Sequence, residues 1–118
     1  MTTLYRSLAY AGLLSLSALA HGAPAATAAG AGTAVVSMGY DTTRGMFFEP
    51  KELTVPVGTT VTFNNSDGSN HSVVFKDGPN SGRMKHHTTW TRTFTAPGSY
   101  PYECSIHGKA MSGVIIVK

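Results

Sequence analysis

From Ala34 to Lys118 the apolar residues never keep a 3.6-residue period long enough to build one face of a helix. They come instead in short runs that alternate with polar residues. Most of these runs stop at, or one residue before, a glycine, proline, asparagine or aspartate. Such runs each bury one face, and stacking two sheets is the simplest way to cover all of those faces together. The strand-like runs are Ala34–Met38, Leu53–Val55, Thr60–Phe63, Ser72–Phe75, Thr88–Thr95, Tyr100–Cys104 and Val114–Val117. Between them, Gly39–Gly45, Val57-Gly58 and Ala96–Ser99 read as turns, and Asn64–Asn70 and Lys76–Lys85 as loops. Pro56 marks a strand end or edge, and Pro101 a point where a neighbouring strand is lost or bulged. Trp90, Arg92 and Phe94 fall on one face of their run. Tyr100, Tyr102 and Cys104 fall on one face of theirs. Tyr102 is read as support for the fold, not as an electron relay. The expectation is one all-β sandwich domain, which suits a chain of 118 residues.

The first residues read differently. Arg6 supplies a positive charge, and the 13 residues Leu8–Ala20 form an apolar stretch too short to span a membrane. Small residues follow at Ala18-Leu19-Ala20 and Ala23-Pro24-Ala25. Residues 1–25 are therefore expected to be a cleaved secretory signal, 26–33 a flexible Ala/Gly-rich lead-in, and 34–118 the folded domain. The protein is expected to be exported, to the periplasm or an equivalent compartment. Cleavage after Ala20 would leave His21 at the new terminus, where amine and imidazole could chelate a metal. Nothing else in the sequence supports a site there.

Chemistry concentrates near the end of the chain. The only cysteine, Cys104, is followed by His107 and Met111 within eight residues. Thiolate, imidazole and thioether donors together select copper, and a second histidine would complete a His2Cys plane with a weak axial methionine. His71, at the mouth of the run Ser72–Phe75, is the candidate. Cys104 and His107 are close enough for one tight turn to aim both at a single centre. His71 lies 33 residues upstream of Cys104 and must come from a neighbouring strand. A zinc site is disfavoured, because structural zinc sites use several cysteines.

The same residues carry a resemblance. Phe48–Val55, Val57–Asn65, Asn70–Val73, Pro97–Cys104 and Gly113–Val117 are together similar to the small cupredoxins of the plastocyanin, pseudoazurin and amicyanin type, over about Phe47 to Lys118. The resemblance implies a Greek-key β-sandwich with one type 1 (blue) copper held by His71, Cys104, His107 and Met111. It implies a soluble exported electron carrier, not an enzyme, whose redox partner (a cytochrome or oxidoreductase) docks transiently near a surface-facing edge of His107. Two departures stand out. Many relatives have four residues between the second histidine and the methionine, amicyanin-like ones two, and this chain three. Ser72 stands where plastocyanins carry an asparagine that ties the two ligand loops together.

Other readings are narrower. Without Arg6 the domain keeps eight basic and six acidic residues, a mild excess that falls short of a nucleic-acid-binding signature. Neither stable membrane association nor an oligomer is expected. The cationic excess, with Lys109 in the ligand loop and Lys76, Arg83 and Lys85 mid-chain, leans toward an acidic partner. The competing function is a copper carrier or buffer that delivers metal instead of electrons. His86-His87 is read as exposed polar surface, because neighbours in an extended chain point to opposite faces.

Overall fold

The computed structural model describes residues 26–27 and 32–118. The expected signal and most of the expected lead-in lie outside them. Among the described residues nine strands run in order: β1 (Ala26–Thr27), β2 (Thr33–Asp41), β3 (Gly45–Glu49), β4 (Glu52–Val55), β5 (Thr60–Asn65), β6 (Val74–Phe75), β7 (Thr89–Thr93), β8 (Gly98–Cys104) and β9 (Gly108–Val117). They form two sheets, β1-β4-β9-β8-β6 and β3-β2-β5-β7. Both sheets are mixed: β2 runs parallel to β5, and β4 parallel to β9. This is the all-β Greek-key sandwich that the alternation and the resemblance implied.

The alternation becomes the core. Val36 and Met38 of β2, Leu53 and Val55 of β4, Val61 and Phe63 of β5, and Ile115 and Val117 of β9 all point inward and are buried. Each large apolar side chain withdrawn from water contributes about 1.5–3 kcal/mol. Phe63 sits at the centre, edge-on to Phe75 and Tyr102 and tilted against Trp90. Tyr102 meets Phe48 as well, at 4.8 Å between ring centroids. Its hydroxyl has no hydrogen-bond partner among the described residues, and burial pushes its pKa well above the ordinary phenol value.

The structure departs from the expected elements in four places. The polar segment after Met38 stays in β2 as far as Asp41, and β3, which the sequence reading left out, pairs back with it from Met38↔Phe48 to Asp41↔Gly45. The turn is closed by the Asp41 carboxylate, which accepts the backbone N–H of Thr43 and of Arg44. Gly39 looked like a breaker, but it is a slot for the Phe47 ring: a Cβ there would sit 2.7 Å from Phe47 Cζ. The run Ser72–Phe75 contributes only Val74–Phe75 to a sheet. Upstream of these, His71 and Val73 bond to Met84 and Ser81 of the following loop. The last strand starts at Gly108, not Val114. Within the expected lead-in, Ala26–Thr27 pair with Leu53–Thr54 of β4.

Pro101 behaves as its chemistry requires. It pairs with Val114 on one side, and on the other the β6 ladder ends at Phe75↔Tyr102, so no strand faces its missing N–H. Among the described residues no helix is long and apolar enough to cross a membrane.

Candidate metal centre

Strand β8 delivers Cys104 to one end of the sandwich with its side chain inward and fully buried. The next three residues, Ser105–His107, turn, and Gly108 opens β9 at φ 60°, a conformation that costs glycine little. His107 is half-buried in that turn, beside Ile106, which is 56 % exposed. His71 reaches the same point from the loop after β5. Ligand-type atoms of His71, Cys104 and His107 lie within 4.8 Å of one another. Among the described residues this is the one group of three histidine, cysteine or acidic side chains so arranged.

His71 is the most constrained of the three. Its side chain is fully buried, and its backbone N–H and C=O both bond to Met84. Its Nδ1 faces Cys104 Sγ at 3.9 Å, and its Nε2 meets the Asp67 carboxylate at 2.7 Å. A carboxylate on the far nitrogen fixes the ring's orientation and tautomer and makes the near nitrogen a better donor. Burial works against the charged form of Asp67. The bonds from His71 and from the Gly68 and Ser69 N–H groups outweigh it and hold the carboxyl below its ordinary range. Asp67 is itself tethered: its N–H donates to Asn65 Oδ1, and Asn65 Nδ2 donates to the carbonyls of Ser69 and Met84.

Ser72 takes over the job the resemblance assigned to an asparagine. Its hydroxyl accepts the Ser105 N–H at 2.9 Å, lies 2.7 Å from Ser105 Oγ, and sits 3.9 Å from Cys104 Sγ. The two ligand-bearing loops are thus tied by one serine.

Met111 is fully buried on the inward face of β9. Strands β8 and β9 keep one register from Gly98↔Val117 to Glu103↔Ser112, and extending it would set Met111 opposite Cys104. Instead Cys104 pairs with Gly108, so Lys109, Ala110 and Met111 are the extra residues taken up as a bulge. The spacing that departs from the relatives therefore leaves Met111 on the same side of the sheet as Cys104.

The donor set fits copper. A first-row metal bonded at about 2.0 Å to nitrogen and about 2.3 Å to thiolate sulfur in a trigonal plane holds those atoms on the order of 3.7 Å apart. The 3.9 Å between His71 Nδ1 and Cys104 Sγ matches that span. Soft sulfur with imidazole nitrogen is copper's preferred company.

His86 and His87 lie nearby, both exposed. His87 adopts φ 65°, so the chain is not extended there, and the two rings stack at 3.5 Å between centroids instead of pointing apart. His86 Nδ1 donates to the Asp67 carbonyl at 2.5 Å. Sequence reasoning missed Asp67. Its only signal was a carboxylate four residues before a candidate histidine.

A β-sandwich that gathers a buried cysteine and two histidines at one end, with a methionine buried in the adjoining strand, fits a mononuclear copper protein of the cupredoxin class. Residues 34–118 match the model of the copper binding proteins, plastocyanin/azurin family, and the chain belongs to that family. Its cofactor is copper. Amicyanin-alpha of Methylorubrum extorquens is 33% identical over 123 aligned residues, covering 96% of this chain and 99% of that protein. The chloroplastic plastocyanin of Physcomitrium patens is 34% identical and covers 75% of this chain and 60% of its own length. Among solved structures, a purple cupredoxin from Nitrosopumilus maritimus superimposes with a TM-score of 0.66 at 29% identity, over 72% of this chain and 99% of that one. A reduced amicyanin carrying one tryptophan-to-tyrosine substitution gives 0.61 at 31% identity, over 71% and 82%.

Proposed function

We propose that this chain is an exported, monomeric one-electron carrier in which His71, Cys104, His107 and Met111 hold a single type 1 copper. Bound copper supplies a reversible Cu(II)/Cu(I) couple; the protein supplies a frame that does not move when the charge changes. The observation that carries the reading is the cluster of buried Cys104 and His71 with half-exposed His107, whose ligand atoms lie within 4.8 Å of one another. Cys104 is fixed by β8, His71 by Met84 and Asp67, and the two loops by Ser72. Two of the donors, Cys104 and His71, are fully buried, which favours electron transfer over delivery of metal from an exposed surface. Half-exposed His107 gives the centre an edge to solvent, and Ile106 beside it offers an apolar contact. A redox protein docking there would cover a small area, below about 1,200 Å² in total, as short-lived redox encounters do.

The reading is of a carrier, not an enzyme. Its likeness to amicyanin-alpha runs nearly end to end in both chains, and copper is the only cofactor that its donor set calls for. The apolar stretch and small residues of 1–25, with the export compartments implied by the resemblance, support secretion.

The test is one equivalent of Cu(II) added to the mature protein, followed by visible absorption and electron spin resonance, and repeated in Cys104→Ser. An intense thiolate-to-copper band that bleaches with reductant and returns on oxidation without loss of metal is expected. It should vanish in Cys104→Ser. A pale Cu(II) signal indifferent to Cys104 would overturn the blue-copper reading, and loss of copper on each reduction would favour the delivery function.

A further inference from the structure

We propose that the segment Lys76–His87, together with Lys109, forms a cationic flank beside His107 that docks an acidic face of a partner protein. This rests on the electron-carrier reading and adds to it the sign and the side of the contact.

Pairing the charges reveals the flank. Ion pairs join Arg44 to Asp41 and Glu49, Arg92 to Asp77, and His71 to Asp67. Among the described residues this uses four of six carboxylates but only two of eight lysines and arginines. Six cations are left without an ion-pair partner, against Glu52 and Glu103.

The six are not spread evenly. Arg83 lines a cleft of about 370 Å³ with His71, Ser105 and Ile106. Lys76 and Lys109 line a second, of about 480 Å³, together with Glu103. Lys85 follows Met84, whose backbone is bonded to His71 in both directions. Four cations thus stand there against one unpaired carboxylate. These four cations are exposed, and so are His86 and His87. The one carboxylate inside the segment, Asp77, is already bound to Arg92. On the other side of the ligand loop Lys51 stands among Glu49, Glu52 and Arg44, and the charges there are mixed. Lys118 lies at the far end of β9, beside Val55.

The layout is therefore an apolar tip at Ile106 with unbalanced positive charge on one side. Apolar contact at the centre and complementary charge at the rim is the form of a steered protein encounter, in which rim charge raises the association rate more than the affinity. A phosphate array, on nucleic acid or lipid, would call for a continuous stripe of cations, whereas here the cations border a protruding isoleucine.

The experiment uses two anionic probes. First, hexacyanochromate(III), a redox-inert paramagnetic anion, is titrated into the copper-free protein and amide line broadening is mapped. Broadening centred on Lys76, Arg83, Lys85 and Lys109 is expected; broadening spread evenly, or strongest at Lys118, would overturn the proposal. Second, the oxidised copper protein is reduced by hexacyanoferrate(II), which gives up one electron per chain and becomes hexacyanoferrate(III). The double variant Arg83→Glu/Lys85→Glu is expected to slow this step about tenfold at low salt, with the gap closing as ionic strength rises. Lys118→Glu should leave the rate within about twofold. Equal effects of the two variants would sink the flank. A protein that shows the mapped broadening but no redox cycle would instead refute the carrier function and leave the cationic face standing. Vesicles of phosphatidylserine and a random single-stranded DNA serve as competing surfaces. Binding of either at physiological salt, lost in the double variant, would replace the acidic protein as occupant.

Discussion

The two histidines of the site are held in opposite ways. His71 is fully buried, and its backbone and both ring nitrogens are engaged, by Met84, Asp67 and the Cys104 sulfur. His107 sits half-exposed in a three-residue turn beside exposed Ile106. One side of the centre is built into the sandwich and the other hangs off its edge. An electron carrier needs both properties: donors that stay put as the metal's charge changes, and one conductive edge within reach of a partner. The contrast separates what stabilises the fold from what tunes the metal, and substitutions on each side should act on different observables.

The largest effect is expected from the sandwich itself. Phe63→Ala removes the ring against which Phe75, Trp90 and Tyr102 pack, and should cost about 3–5 kcal/mol in denaturant unfolding. While the variant remains folded its copper spectrum should match the parent's. A changed spectrum would show that core and site are not separable.

Next is the buried side of the centre. Asp67 places a negative charge 2.7 Å from the outer nitrogen of His71, which favours the more positive, oxidised state of the metal. Asp67→Asn keeps a group able to bond the ring but removes the charge. The reduction potential should rise, by something on the order of tens of millivolts. An unchanged potential would mean that Asp67 only positions the ring.

A smaller change is expected where the two ligand loops meet. Ser72→Ala leaves the Ser105 N–H and hydroxyl without their partner and should cost about 1 kcal/mol. It also removes the hydroxyl 3.9 Å from the Cys104 sulfur, so the thiolate-to-copper band should shift. A stability loss with no spectral shift would place Ser72 on the structural side of the comparison.

The sequence disclosed these two sides unequally. Cys104 and His107 were legible because one turn holds both, and Met111 because a thioether follows them within eight residues of the cysteine. His71 was legible only in combination with them. Asp67 was not, because a carboxylate among Ser66, Gly68 and Ser69 looks like ordinary turn chemistry. What folds it back is Asn65, buried at the end of β5 and bonded to Ser69 and Met84, and that contact spans two loops. Strand β3 was hidden for a related reason. Gly-Met-Phe-Phe-Glu does not alternate, and its outer ring, Phe47, finds its place over Gly39 and under the Arg44 guanidinium, 3.7 Å from the ring centroid. Short-range pattern shows which residues face inward; pairings that cross between loops have no local period to betray them.

The smallest effect concerns a charge pair far from that contrast, and it sets the baseline for the rest. Asp77 and Arg92 meet in two bonds, at 2.8 and 3.2 Å. Asp77 is half-exposed, whereas Arg92 is mostly covered, lying over Phe75, Phe94 and Tyr100. The Arg92 bond holds the Asp77 carboxyl below its ordinary value of 3.8. A carboxylate depressed in the folded state stabilises the protein fully above its unfolded value, and that stabilisation disappears as pH falls through the folded one. Asp77→Asn should therefore cost under about 1 kcal/mol at neutral pH, since solvent screens an exposed pair. The gap between parent and variant should close as pH drops below 3.8. Urea unfolding across that range measures it. Arg92→Ala should cost more than Asp77→Asn, and that excess should survive acid, because the stem and guanidinium cover three rings whatever the state of Asp77. If the two variants cost the same at pH 7 and both costs vanish in acid, Arg92 acts through its charge alone, and its stacking on the rings contributes nothing measurable.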